Sequence, residues 1–208
     1  GCRVAGSADV AAALRTEVLR SVAATLTPED VKAAEAWYSS SLGRRITLLE
    51  ERATSEQADL ATTKSRAATA MAKASSLRQQ QLKALDEAVR ASEQASSMVL
   101  NMSLAIAYGV AKASNPVLTV DFQAVRTQLA KQLAPVLAEL RTDTPKLCAL
   151  TYASLKDDEL KAYIEFNRTK AAGKFNSAVI DGMDRAFVQL SLKLGEDYAR
   201  STEQKRGT

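Results

Sequence analysis

The sequence predicts an all-α protein, organised as a bundle of about eight helices. Alanine and leucine, the best helix formers, occur 38 and 24 times, whereas the chain has only 8 glycines and 4 prolines. Apolar residues also recur at helical spacing along most of the 208 residues. A hydrophobic content of 46% and a charged content of 25% are typical of a globular chain, so we expect 1–208 to form a single domain.

The first two helices are predicted by spacing and by a capping signal. Within 8–25, an apolar residue returns at every fourth position: Val10, Leu14, Val18 and Val22. Thr27 can cap the next helix and Pro28 suits its first turn. The two acids that follow favour the positive end of the helix dipole, so a second helix should start here.

Residues 44–108 contain neither glycine nor proline. A single helix over this stretch would extend about 100 Å, which is too long for a compact domain. We therefore predict a break at Ser75-Ser76, because serine caps a following helix, and a second near Ala91-Ser92. The alanine-rich helix over 54–74 either packs closely through its small residues or projects from the body.

A long uncharged run covers 95–111. It is shorter than the roughly 20 apolar residues that span a bilayer, and it contains serine and asparagine. We therefore expect a buried central helix and no transmembrane segment. Met98, Met102 and Gly109 on this helix could line a site for a small apolar ligand between helices.

Proline and apolar spacing define the helices of the C-terminal half. Pro135 falls inside the first of them and should kink it. A turn at Thr142-Asp143-Thr144-Pro145 should open the second, and the third has the most regular apolar stripe. The predicted ranges are Thr119 or Asp121 to about Leu140, 145–153 and 170–199.

Two stretches match each other at a spacing of 129 residues without a gap. Each is an acid-started helix with a large aromatic near its end, followed by a hydroxyl residue that can cap the next helix. The matched residues are Leu26 and Leu155, Glu29-Asp30 and Asp158-Glu159, Val31 and Leu160, Lys32 and Lys161, Trp37 and Phe166, Ser40 and Thr169, Arg45 and Lys174, and Ile46 and Phe175. We predict an internal helix-turn-helix duplication about a pseudo-twofold axis, with halves at about 8–53 and 145–199 joined by helices within 54–140. Chance similarity between alanine-rich helices is the alternative.

The repeated motif resembles that of an exported bacterial family known only as domain of unknown function 2059. Its pattern is an acid-rich helix start followed by Phe-Tyr-x-Ser-Pro-x-Gly, and the first copy matches it at Trp37, Tyr38, Ser40 and Gly43. Ser41 stands in place of the proline, and the second copy matches at Phe166 and Thr169. The resemblance implies an all-α fold and a periplasmic or envelope location, and it implies no activity.

Two cysteines, Cys2 and Cys148, allow one disulfide bond, which would require an oxidising compartment. Such a bond would fasten the N-terminus and close a long loop. Two alternatives stay open: the thiols are unrelated, or Gly1-Cys2 is the end of a lipoprotein signal and Cys2 carries a lipid anchor. No signal peptide opens the sequence, so an exported protein would be present here in its mature form.

The sequence lacks the residues that most catalytic sites use. It has no histidine, which excludes Ser–His–Asp and Cys–His catalysis and histidine metal sites. No phosphate loop, dinucleotide fingerprint or calcium loop is present. We therefore expect the protein to have no enzymatic activity and to bind neither a cofactor nor a metal. A distant alternative is catalysis by carboxylates alone, for which the acids to inspect are Asp157, Asp158, Asp181 and Asp184.

The charge pattern argues against nucleic-acid binding. The net charge is +4 in a well-mixed set, and Lys and Arg do not cluster in a long run. Adjacent aromatics beside arginines resemble the anchors of protein interfaces, and here that surface would comprise Trp37, Tyr38, Arg44 and Arg45. Packing of both aromatics into the core is the alternative. The sequence thus predicts a non-catalytic interaction or structural module of the envelope, bound to an unknown envelope protein. A carrier or sensor of a small apolar ligand is the second hypothesis.

Overall fold

The computed structural model describes the backbone of residues 7–55, 59–115, 117, 119 and 121–206, and the side chains of these residues other than 7–9, 122 and 202–206. Over these residues the chain forms helices and no strand, which confirms the all-α prediction. None of the helices in these ranges combines the length and the apolar character needed to cross a bilayer.

Ten helices are formed by the described residues, rather than about eight. They are α1 (Ser7–Thr25), α2 (Pro28–Tyr38), α3 (Ser41–Ser55), α4 (Leu60–Lys73), α5 (Ser76–Val89), α6 (Ala91–Ser114), α7 (Phe122–Gln132), α8 (Ala134–Thr151), α9 (Asp157–Asn167) and α10 (Lys170–Arg206).

The breaks between α3 and α6 follow from capping residues. Ser75 caps α5, as predicted, and its hydroxyl accepts the N–H of Arg78 at 3.1 Å. The second predicted break lies at Arg90, whose φ of 54° places it in the left-handed region and ends α5. The helix expected over 54–74 begins later, at Leu60, because Asp59 caps α4 by accepting two backbone N–H groups.

The two prolines of α8, Pro135 and Pro145, act differently from the prediction. The expected kinked helix through Pro135 is wrong, because α7 ends at Gln132 and Pro135 lies in the first turn of α8, where no N–H is needed. The expected turn at 142–145 is also wrong, since α8 continues to Thr151 with Pro145 inside it. A proline there removes one helical hydrogen bond, and the rest of the ladder continues on both sides of it.

The chain divides into two compact units, each assembled from separate segments. Unit 1 comprises the described parts of Gly1–Ala24, Ala95–Leu137 and Ala178–Thr208. Unit 2 comprises those of Thr25–Gln94 and Ala138–Ser177. Both members of every matched residue pair therefore lie in unit 2. The single domain expected for 1–208 stays a prediction.

Unit 2 has an apolar core in which α5 packs against α9 and α2 against α3. Its fully buried large side chains are Ile46, Leu82, Leu85 and Leu160, joined by the buried Tyr152, Leu155, Tyr163 and Ile164. Three of the matched apolar or aromatic positions, Ile46, Leu160 and Leu155, belong to this core. At these three positions the repeated pattern marks the core of unit 2, whereas Val31, the counterpart of Leu160, is exposed.

Unit 1 packs its helices through small residues. A Cβ added to Gly109 in α6 would lie 2.3 Å from the backbone oxygen of Leu192 in α10. One added to Gly195 would lie 2.3 Å from the backbone oxygen of Ile106. Because each glycine faces the backbone of the opposite helix, α6 and α10 cross at a distance that a side chain would prevent.

Candidate functional site

The predicted interaction aromatics, Trp37 and Tyr38, pack inside unit 2. The ring of Trp37 stacks on Phe166 at a centroid distance of 4.4 Å and an angle of 6°, and more loosely on Tyr163 at 6.0 Å. Tyr38 meets Phe166 edge-on at 5.8 Å and Phe175 at 5.4 Å. Both residues are half-buried. The two aromatics therefore join α2 to α9 and to the start of α10.

Three residues form a hydrogen-bonded clamp beside these rings. Glu50 in α3 accepts the hydroxyl of Tyr152 at 2.7 Å and that of Tyr163 at 2.9 Å through the same carboxylate oxygen, Oε1. Burial, together with nearby charge and the Glu50 carboxylate, raises the pKa of both phenols, so they remain neutral donors. Burial also raises the pKa of Tyr38 to about 12.

Two ion pairs connect the matched stretches reciprocally. Lys174 Nζ lies 2.5 Å from an Asp30 carboxylate oxygen, and Arg45 Nη1 lies 2.6 Å from Glu159 Oε1. Asp30 corresponds to Glu159, and Arg45 to Lys174, at the spacing of 129 residues. The acid of each copy therefore pairs with the cation of the other. The hydrogen bond from Lys174, followed by that from the Thr27 backbone, lowers the pKa of Asp30.

The two acids also perform the same local task. Asp30 accepts the backbone N–H of Thr27 at 3.1 Å, and Glu159 accepts that of Lys156 at 2.8 Å. Each carboxylate thus reaches back to the residue that precedes its helix, as in a capping box.

The hydroxyl residues after these helices are equivalent as well. Ser40 donates its hydroxyl to the carbonyl of Trp37 at 2.6 Å, and Thr169 donates its hydroxyl to the carbonyl of Phe166 at 2.7 Å. Each hydroxyl oxygen then accepts a backbone N–H three residues ahead, from Gly43 or from Ala172. The turn that the sequence predicted from hydroxyl residues is built identically in both copies.

Arg44 and Arg45, the two arginines of the predicted interaction surface, differ in their contacts. Arg45 donates to Glu159 and, at 2.7 Å, to the carbonyl of Ser154, so it is engaged within unit 2. Arg44 is exposed and donates to the carbonyl of Ser39. Of the four predicted interaction residues, Arg44 therefore keeps only a local contact on the surface.

The predicted disulfide bond cannot be placed, because Cys2 lies outside the described residues. Among the described residues, Cys148 has no disulfide partner. Burial, followed by the negative charges of Asp86 and Glu50, raises the pKa of this thiol to about 12. A thiol of this kind is chemically inert at neutral pH.

Unit 1 contains an apolar groove on the predicted central helix. Its volume is about 330 Å³, and its lining is nearly wholly apolar. The lining residues are Asn101, Leu104, Ala105, Tyr108, Val188 and Leu192. Among the described residues, the predicted lining set of Met98, Met102 and Gly109 is not part of this groove. Both methionines are half-buried elsewhere on α6, and Gly109 serves the crossing with α10.

The carboxylates proposed for catalysis have structural partners or lie at the surface. Asp157 accepts Arg78 at 3.1 Å in unit 2, and Asp184 accepts the amide of Asn101 at 2.9 Å in unit 1. Asp158 caps the N–H of Glu159 at 3.0 Å, and Asp181 is exposed. Within the described part of the chain, no group of three or more Cys, Asp or Glu side chains could hold a metal ion.

Unit 2 also has a cleft of about 210 Å³ that sequence patterns did not single out. Its residues belong to α3, α4, α8 and the turn after α8: Leu49, Arg52, Ala53, Thr63, Arg66, Leu147, Leu150, Thr151, Ala153 and Ser154. The one available signal was helical spacing, which places Leu49, Arg52 and Ala53 on one face of α3. The spacing gives no indication of which helices meet there.

A comparison with known proteins bears on the first copy of the repeat. No curated protein and no solved structure matches the chain. Residues 12–72 match the model of a bacterial family described as "Uncharacterized protein conserved in bacteria (DUF2059)". This match contains the first motif copy, at 26–51, and confirms the resemblance to domain of unknown function 2059 that the sequence indicated.

Proposed function

We propose that the protein is a non-catalytic helical module of the bacterial envelope that works by binding another protein. Its framework is a duplicated helix-turn-helix unit with pseudo-twofold symmetry. The observation that carries the proposal is the reciprocal pairing of Asp30 with Lys174 and of Glu159 with Arg45. These four charged residues hold the two copies of one motif together.

The duplication is supported by contacts that repeat at one spacing. The ion pairs, the backbone-capping acids and the capping hydroxyls all recur 129 residues apart. Trp37 stacks directly on Phe166, its own counterpart. Self-contact between equivalent residues is expected where a twofold axis passes, since an axis brings a residue against its copy. This set of contacts supports a duplication over chance similarity of two alanine-rich helices.

The envelope location follows from the resemblance to an exported bacterial family. Fractionation of cells that produce the protein naturally would test it. We expect the protein in the periplasmic or membrane-associated fraction, and recovery in the cytoplasmic fraction alone would contradict the proposal.

The binding role can be tested by site-specific photo-crosslinking in those cells. Leu48 on α3 and Leu77 on α5 are 53% and 56% exposed, which makes them suitable positions for a photoreactive residue in unit 2. We expect one discrete crosslinked protein from at least one of these positions, and none from exposed Lys161. Absence of any crosslinked protein from both positions, in a protein that is folded and present, would contradict the binding role.

A second candidate function, the carriage or sensing of a small apolar ligand, is favoured by the groove in unit 1. Its volume and apolar lining suit a compact hydrophobic molecule. Native mass spectrometry of the protein purified from its host should show a mass above that of the chain, which is lost on unfolding. Val188→Lys should abolish the added mass, whereas Leu194→Lys, at an exposed position of the same helix, should not. A bare chain in the wild-type spectrum would rule this function out.

A further inference from the structure

We propose that the cleft between α3, α4 and α8 binds a small organic anion, a carboxylate head on a short apolar chain. The cleft joins two arginines to a leucine-lined floor. One of its lining residues, Ser154, also accepts a hydrogen bond from Arg45 through its backbone carbonyl. The proposal goes beyond the module function and does not depend on it.

The head-binding groups are Arg52 and Arg66. Among the described residues, neither guanidinium has an ion-pair or hydrogen-bond partner. Lys64, which lies on α4 as Arg66 does, differs from it in having ion-pair partners: Glu139 at 2.5 Å and Asp143 at 3.4 Å. Two unneutralised guanidinium groups on one cleft favour an anion, and their planar donor forks fit a carboxylate.

Hydroxyl residues also line this cleft. Thr151 and Ser154 line the same cleft, from the end of α8 and the turn that follows it. Each can donate a hydrogen bond to a carboxylate oxygen. The head of the ligand would therefore meet both positive charge and neutral donors.

The leucine-lined floor of the cleft determines the chemical nature of the ligand beyond its anionic head. Leu49, Leu147 and Leu150 contribute apolar surface that an inorganic anion cannot cover. The volume of about 210 Å³ equals roughly seven water molecules at about 30 Å³ each, which suits a chain of a few carbons. A neighbouring cleft of about 360 Å³ shares Arg66 and Leu150 and adds Lys73, so a longer chain has room to continue. A fatty carboxylate fits both parts of the cleft, because its carboxylate can pair with the arginines and its chain can cover the leucines.

Titration calorimetry with the full chain tests the proposal, using octanoate as the probe. For a ligand of this size we expect a Kd on the order of 1 mM or below. Octanol has the chain without the charge, and acetate has the charge without the chain. Each should bind at least about tenfold more weakly than octanoate, since each loses one of the two contributions. Equal binding of octanol, or no heat with octanoate, would overturn the proposal.

Substitutions locate the site. Arg52→Gln and Arg66→Gln should each weaken octanoate binding by about tenfold, because each removes a charged donor. Both side chains are exposed and have no ion-pair partner among the described residues, so the unfolding temperature should stay unchanged. Arg15→Gln, an exposed arginine in unit 1, is the matched control and should bind as the wild type does. Ala53→Phe should block the cleft without changing its charge. Wild-type affinity in both arginine variants and in Ala53→Phe would show that octanoate binds elsewhere and overturn the assignment.

Discussion

Asp30 links acid stability to the contact between the two motif copies. Hydrogen bonds from Lys174 and Thr27 favour its charged form and lower its pKa. A depressed folded-state pKa contributes stability above the unfolded value of about 3.9, and this contribution disappears as pH falls through the folded value. We therefore expect the stability difference between wild type and Asp30→Asn to be full at neutral pH and to shrink below about pH 4. Urea unfolding monitored by circular dichroism at a series of pH values measures it.

Asp181→Asn is the control for this titration. Asp181 is exposed on α10, and no hydrogen bond or ion pair is found for it among the described residues. Its substitution should leave the unfolding curves close to wild type at every pH. A pH-independent difference for Asp30→Asn would mean that the carboxylate acts through shape rather than charge.

Cys148 is a second residue whose chemistry depends on its surroundings. With its pKa raised to about 12, the thiol carries almost no reactive thiolate at neutral pH. We expect iodoacetamide to leave Cys148 unmodified in the reduced, native protein and to modify it after unfolding, as measured by peptide mass spectrometry. Rapid labelling of native Cys148 would contradict the buried environment. A non-reducing peptide map of protein from the native host tests the predicted Cys2–Cys148 bond separately.

At the scale of elements, the crossing of α6 and α10 depends on glycine. Alanine at Gly195 would bring its Cβ to 2.3 Å from the Ile106 oxygen, and the helices would have to separate. We expect Gly195→Ala to destabilise the protein by roughly 1–3 kcal/mol, the usual cost of overpacking, although alanine is the better helix former. Chemical denaturation measures this difference.

Gly173 is the matched control in the same helix. No atom lies within 4 Å of a Cβ built there, so Gly173→Ala gains helix propensity without a clash. It should stabilise the protein by about 0.5–1 kcal/mol. The two substitutions are chemically identical and differ only in what surrounds them. Equal effects would show that the close crossing does not limit stability.

The sequence predicted elements well where a local signal exists. The Ser75 cap and the Thr27–Pro28 start are local signals, and the helices begin there. Prolines were harder, because helix geometry depends on which turn a proline occupies. Pro135 suits a first turn, while Pro145 is accepted inside α8, where the ladder continues on both sides. No residue pattern distinguishes these two outcomes without tertiary contacts.

The candidate sites were predicted less well, since they depend on contacts between distant helices. Trp37 and Tyr38 were identified as important from their type, but the stacking of Trp37 on Phe166 and the edge-on contact of Tyr38 with the same ring follow only from the fold. Gly109 was predicted as a possible lining residue of a ligand site, and its close approach to the backbone of α10 could not be predicted from the sequence. The sequence did not indicate Arg52 and Arg66 as site residues, because a single exposed arginine on a helix is common.

At the scale of the whole molecule, the proposed duplication means that the same set of contacts forms twice between the two copies of the motif. In a symmetric dimer, residue i of one subunit meets residue j of the other, and j meets i. Unit 2 has this pattern within one chain, because Asp30 pairs with Lys174 and the equivalent Glu159 pairs with Arg45. A single copy would leave each acid without its cation and the Trp37 ring without Phe166. The proposed frame is therefore complete only when both copies are present.

This symmetry can be tested by exchanging residues between the copies. The variant Asp30→Glu, Glu159→Asp, Arg45→Lys, Lys174→Arg places each pair of side chains at the other's position. If the two environments are equivalent, both acids still reach their capping N–H and both cations still find an acid. We expect its unfolding temperature to stay within a few degrees of wild type, whereas Lys174→Glu alone should lower it clearly, because a like charge then faces Asp30. A loss in the exchanged variant as large as that of Lys174→Glu would show that the positions are not equivalent, and the duplication would then be one of sequence pattern without structural symmetry.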